Sequence, residues 1–312
     1  MKKSSKLLFA ALVGTAIIFT SCGKEVVEKY DMLKVKGGSV PTEFFKLSDM
    51  YIDFEENPDF KVTVSDFYIS KYEVTQKLYR EVMESDLDVN ANPAYFKENP
   101  VEGENQDLRP VERISWYDCL YFCNKLSEKE GFEPVYTIEE VERYNKDKAI
   151  KRAKISADFT KNGYRLPTYS EWLFAAYGGN KMKEAHTYSG SNDISEVAWH
   201  VNNSGEKTHQ IGLKAPNELG LYDMTGNVAE WLWDFTWDEE MFENLNEEHV
   251  DYRGPETGRY RCIMGGCFVE YSAGAKFPYE LYEGIGGIQG LRYYNTGFRL
   301  ARNASANAKK KK

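Results

Sequence analysis

The stretch Gly220 to Trp233, GLYDMTGNVAEWLW, constrains this chain more than any other. Thr225-Gly226-Asn227 has turn chemistry, because glycine reaches backbone angles that other residues avoid and Asn bonds its own backbone through its side chain. Asp223 and Glu230 stand on either side of that turn, so two carboxylates and several freed carbonyls converge on one small volume. Two uses fit such a set. A hard cation such as Ca²⁺ takes roughly six to eight oxygens from carboxylates, carbonyls and water. Alternatively, the carboxylates satisfy turn amides and Arg side chains.

Elsewhere the residues fall into short periodic runs between polar loops. Lys61 to Ile69 alternates apolar and polar residues as a half-buried strand does. Thr75 then caps a helix over Gln76 to Met83, with Leu78, Val82 and Met83 on its apolar face. Asn90 to Asp107 is a polar loop. Ser115 caps a second helix in which Trp116, Leu120, Cys123 and Leu126 recur three and four apart, and Gly131-Phe132 ends it. The charged stretch Ile138 to Ser156 reads as a partly helical insertion. Thr168 or Ser170 caps a third helix that Gly178-Gly179 stops, and Arg259 to Met264 reads as a strand.

With 42% hydrophobic and 14% aromatic residues, 312 residues suffice for one large core. The formal net charge is −9 and becomes more negative once Lys2, Lys3 and Lys6 leave with the leader, which makes nucleic acid a poor partner. Those lysines precede an apolar run, Leu7 to Thr20, in the order of a signal peptide over 1–21. A polar tether over 22–34, one domain over 35–303 and a lysine-bearing solvated tail over 304–312 complete the expected organisation. Cys119, Cys123, Cys262 and Cys267 lack the paired spacing of a zinc site, and the histidines are scattered.

GLYDMTGNVAEW resembles the signature GLYDMxGNVWEW of the formylglycine-generating enzyme family, also called the sulfatase-modifying factor family, with Ala229 at the usual tryptophan. Further similarities follow in chain order: Val62 to Met83, Pro110 to Trp116, Gly163-Tyr-Arg-Leu-Pro-Thr through Gly179, and the closing Thr296-Gly-Phe-Arg-Leu-Ala-Arg. The resemblance implies an α+β fold, the formylglycine-generating-enzyme-like variant of the C-type lectin fold in a single loop-rich domain. It also implies structural Ca²⁺, held by the side chains of Asp223 and Glu230 and the carbonyls of Gly226 and Val228, with Asn203 matched to a further calcium position. Phe19-Thr20-Ser21-Cys22 resembles a bacterial lipobox, which implies lipid on Cys22 and export to the outer membrane or cell surface.

Enzymes of that family use two cysteines shortly after a Gly-Gly-Ser element, where copper-bound thiolates activate oxygen. In register this chain has Glu270 and Ala275, and a carboxylate and a methyl group cannot carry thiolate chemistry. Cys262 and Cys267 lie five apart, as an active pair in the family can, which leaves a copper-dependent modifying oxidase as one alternative. The other is a non-catalytic binder. Phe268, Glu270, Tyr271, Phe277, Tyr279, Tyr282, Ile285, Tyr293, Tyr294 and Asn295 lie in a glycine-spaced run, and paratopes combine rigid aromatics with adaptable small residues in this way. The run's place before the final strand resembles the variable region of diversity-generating retroelement proteins, including the Treponema variable protein type, and implies a hypervariable face for a macromolecular ligand.

Overall fold

In the computed structural model, residues 30–40, 61–236, 248–269 and 288–304 are described. Phe67–Ser70 (β4) buries Phe67 and Ile69 and is paired on both edges, antiparallel to Met32–Val35 (β1) and to Ala301–Asn303 (β11). The domain therefore opens at β1, inside the stretch expected to be tether. Met32 is buried in the core, which a solvated tether would not allow.

A second sheet is built on Ala229–Phe235 (β7). Thr296–Gly297 (β10) lies parallel to one edge of it and Arg261–Met264 (β9) antiparallel to the other. Gly38–Val40 (β2), Lys61–Val64 (β3) and Glu248–Val250 (β8) make a third sheet, with β3 in the middle. The closing segment, expected as one strand, is thus split between two sheets. Between β10 and β11, Phe298 O accepts from Val74 N and Leu300 O from Ser70 N.

Side-chain caps start the main helices where the sequence predicts. Gln76–Met83 (α1), Trp116–Glu130 (α2) and Tyr169–Ala176 (α3) begin after Thr75, Ser115 and Thr168, whose hydroxyls accept the amides of Leu78, Asp118 and Glu171. At the last two, the acidic side chain bonds back to the cap, closing a capping box. Gly131 ends α2 in the left-handed conformation that glycine adopts without a Cβ clash. Trp116 is fully buried on the core side of α2, where its indole donates to Leu232 O at 2.8 Å.

The insertion expected to be partly helical is a β-hairpin, Tyr136–Arg143 (β5) antiparallel to Ile150–Ala157 (β6). Its charged residues face solvent, whereas the cross-strand pair Ile138 and Ile155 packs on the core. Dense charge hid the strand alternation.

A buried ion pair ties the first two sheets together. Glu230 on β7 accepts Arg299 Nε at 2.9 and 2.7 Å and Arg299 Nη2 at 2.6 Å, and both side chains are buried. Trp172 Nε1 adds a bond at 2.7 Å, while Arg299 also donates to Ser70 O and Tyr222 O. Removing one member leaves the other charged, buried and unpaired, which costs about 3–5 kcal/mol. Glu230→Ala is therefore expected to lower the unfolding free energy by about that amount in urea denaturation. A loss near zero would mean that the pair is not a structural link.

Candidate functional site

Glu112 anchors the site. It follows Arg109-Pro110-Val111, where the proline keeps the chain extended, and it is fully buried. Its carboxylate accepts the backbone N–H groups of Tyr95 and Phe96, each at 2.9 Å. Phe96 O takes the side-chain amides of Gln76 at 3.0 Å and Gln106 at 2.8 Å, and the Arg109 guanidinium lies 5.4 Å over the Phe96 ring. A polar loop is thereby fixed at its two aromatic residues, with Tyr95 left 61% exposed.

The chain returns to this loop after residue 288. Arg113 N donates to Tyr293 O and Ala229 N to Asn295 O, so the stretch between is held at both ends. Tyr294, 47% exposed, comes to 6.1 Å from the Tyr95 ring. An open cleft of about 690 Å³ lies here, lined by Tyr95, Phe96, Val269 and Tyr294 together with Arg113, Glu206 and Arg292, the last paired with Asp147. Aromatic walls with a few charged groups at the edge are the composition of a binding cleft.

Of the residues expected at a ligand face, Tyr294 lines this cleft. Phe268 does not; it is fully buried beneath, edge-on to Phe96 at 5.1 Å and 5.9 Å from Tyr294. Tyr293 packs on Trp231 at 5.9 Å, and Asn295 donates to Cys267 Sγ at 3.3 Å. Glu270, Tyr271, Phe277, Tyr279, Tyr282, Ile285 and the lipobox Cys22 lie outside the described residues. Sequence reasoning passed over Tyr95 and Phe96. Two adjacent aromatics in an otherwise polar loop were the available signal.

The central turn forms as its residues require. Gly226 has φ +81°, and a Cβ there would sit 2.4 Å from Trp199 O. Asn227, also at positive φ, donates its side-chain amide to Glu73 and accepts His209 N–H. Of the side-chain oxygens assigned to Ca²⁺, four are otherwise engaged. Both Glu230 oxygens serve Arg299, Asn203 Oδ1 accepts His200 N–H, and Asp223 Oδ2 accepts Gly212 N–H. Asp223 Oδ1 is buried without a partner. Among the described residues no three His, Cys, Asp or Glu side chains gather as a metal site. This donor set does not fit a cation that needs roughly six to eight oxygens, because a guanidinium already neutralises Glu230.

The cysteines of the oxidase alternative do not meet as a pair. Cys262 packs with Met264 and Leu232 in one apolar cluster, whereas Cys267 packs with Phe268 and Phe298 in another. Burial pushes the Cys262 thiol well above its ordinary value, the opposite of what an activated thiolate needs.

Residues 19–304 match the sulfatase-modifying factor enzyme 1-like domain. Across 310 residues the chain is 37% identical to the chaperone protein LppX of Paenibacillus barcinonensis, covering 92% of this chain and 96% of that protein. It is 35% identical over 122 residues to the formylglycine-generating enzyme of Thermomonospora curvata, spanning 34% of this chain and 39% of the enzyme. Treponema denticola variable protein 1 superposes with a TM-score of 0.68 at 32% identity, covering 87% of this chain and 94% of the other.

Burial pushes Glu112 up to about 7, Asp234 up to about 7 and Asp223 up to about 6. A carboxylate whose folded value lies above its unfolded one stabilises the fold fully below the unfolded value, and that contribution is lost as pH rises through the folded value. The melting temperature is therefore expected to fall between about pH 4 and about pH 7 and to flatten above. Glu112→Gln is expected to make that slope shallower. A wild-type melting temperature that rises over this range would contradict the assignment.

Proposed function

We propose a function from the premise that this chain belongs to the sulfatase-modifying factor enzyme 1-like family, with the α+β, formylglycine-generating-enzyme-like variant of the C-type lectin fold. In this reading it is a non-catalytic binding protein that holds a polypeptide ligand in the cleft between Tyr95 and Tyr294. One observation carries the reading: the two exposed tyrosines stand on backbone that is fixed from beneath, Tyr95 by Glu112 and Tyr294 by the bonds of Arg113 and Ala229 to its neighbours. Aromatics held rigid before the ligand arrives lose little entropy on binding, which is how such residues come to dominate an interface.

Two kinds of relative suit this reading. A relative matched along nearly its whole length is a chaperone protein, a description that agrees with a polypeptide ligand. The other, similar over most of both chains, is a variable protein, which agrees with a ligand face that differs between copies and includes Tyr294. The same reading has the protein exported through its leader and tethered to the outer membrane or cell surface by lipid on Cys22. Copper chemistry on Cys262 and Cys267 is disfavoured by their burial in separate clusters.

Panning a random-peptide phage library on the purified chain tests the cleft. Enriched peptides are expected to bind wild type and to lose at least about tenfold in affinity when Tyr95→Ala and Tyr294→Ala are combined, since truncating central aromatics commonly costs more than about 1 kcal/mol. The variant's melting temperature is expected to stay near that of wild type, because both rings are largely exposed. Peptides that bind the double variant equally well would place the ligand elsewhere. In a parallel assay, wild type given copper and a sulfatase-type cysteine peptide is expected to leave the peptide unconverted, and formylglycine in the product would restore the oxidase.

A further inference from the structure

A second cleft, of about 570 Å³, opens where the first turn of α2 meets β6, β7 and β9. Its walls are aromatic, and they are held in place. Trp233 stacks on Tyr136 at 5.4 Å with 14° between the planes, and Phe159 meets it edge-on at 5.3 Å. Trp116, fixed through its indole N–H, and Tyr117 form the side nearest the helix.

Arg261 lies among these rings. Its guanidinium carbon is 3.4 Å from the Phe235 ring centre, 3.9 Å from that of Trp116 and 5.0 Å from that of Trp233. The residue is only 7% exposed. One bond is made, from Nη1 to Trp233 O at 2.6 Å, while Nε is buried without a partner. The nearby Asp234 does not supply that partner; its Oδ2 accepts Tyr169 N–H and its Oδ1 is itself unpaired. Although burial pulls the Arg261 value down to about 10, the group stays cationic at neutral pH. A buried donor left without a partner is costly, so the position favours a ligand that brings an acceptor. Arg253, an exposed residue 4.2 Å over Phe159, adds a second guanidinium at the opening, and Glu256 is the one carboxylate of the lining.

We propose that this cleft binds a molecule with an aromatic body and a carboxylate, the ring against the aromatic walls and the carboxylate turned toward Arg261 and Arg253. The planar guanidinium fork matches carboxylate geometry and tolerates stacking on rings, which an ammonium does less well. The volume falls in the range of roughly 300–1,000 Å³ common to small-ligand sites. A free aromatic acid and the C-terminal aromatic residue of a polypeptide present the same chemistry. The site shares no lining residue with the cleft between Tyr95 and Tyr294 and stands independently of its function.

The test titrates the full chain with 3-phenylpropionate and with the tetrapeptide Gly-Gly-Gly-Phe, each against its neutral amide, reading tryptophan fluorescence and calorimetric heat. Saturable binding is expected in at least one acid arm, at least about tenfold tighter than the matching amide, the worth of a charge-assisted bond. Binding of 3-phenylpropionate alone identifies a free acid as the source, and binding of the tetrapeptide identifies a chain terminus. Because Arg261 variants risk the core, two milder changes serve. Ala153→Trp, half-buried on β6 at the cleft wall, is expected to abolish binding by filling the space, and the exposed Arg253→Ala to weaken it severalfold. Tyr294→Ala is expected to change nothing. Equal affinity for acid and amide, no saturable binding in either arm, or undiminished binding by Ala153→Trp would overturn the proposal.

Discussion

Glu230 and Arg299 face each other where no water reaches, and a charge taken out of water costs several kcal/mol unless its lone pairs and protons are used. Here they are. The carboxylate collects the Nε and Nη2 edge of the guanidinium and an indole, and the guanidinium continues to Ser70 O and Tyr222 O. Glu230 belongs to β7, Arg299 to the link between β10 and β11, and Ser70 ends β4, so one guanidinium touches both sheets. Downstream placement depends on it. With β7 held, Ala229 N fixes Asn295 O, and Tyr294 is set against the loop that carries Tyr95.

The same pair explains the local charge balance. Burial, together with Asp223 and Glu230 nearby, pushes the Glu73 carboxyl well above its usual range, and Asp223 is raised as well. Arg299 answers the charge of Glu230, and burial shifts Glu73 and Asp223 toward their protonated forms. Asn227 stands between them, binding Glu73 with its amide and receiving Phe268 N–H on its carbonyl. The turn and the floor of the first cleft are therefore one hydrogen-bonded body.

Much of this was legible in the residues. Thr75, Ser115 and Thr168 announced helices because capping is local chemistry, and Gly226 announced a turn because no other residue fits beside Trp199 O. What needed coordinates was set by partners remote in sequence. Glu112 is an ordinary acid until Tyr95 and Phe96 bring it their amides, and Phe268 belongs to the same aromatic run as Tyr294 yet sits under it rather than beside it. The hairpin of β5 and β6 was obscured because its outer face is densely charged and the inner residues Tyr136, Ile138, Ile150 and Ile155 are spread among those charges. Met32 was lost to the tether because a four-residue strand carries too little pattern to separate it from polar flanks.

β4 lies between β1 and β11, strands drawn from opposite ends of the domain. In a chain synthesised from its N-terminus, β1 and β4 can pair early. The middle strand then keeps an open edge until residues 301–303 have emerged, roughly two hundred and thirty residues later. An unpaired edge of that kind invites pairing with another chain. The last stretch of the domain to be synthesised, which delivers Arg299 and β11 together, is thus what closes that edge.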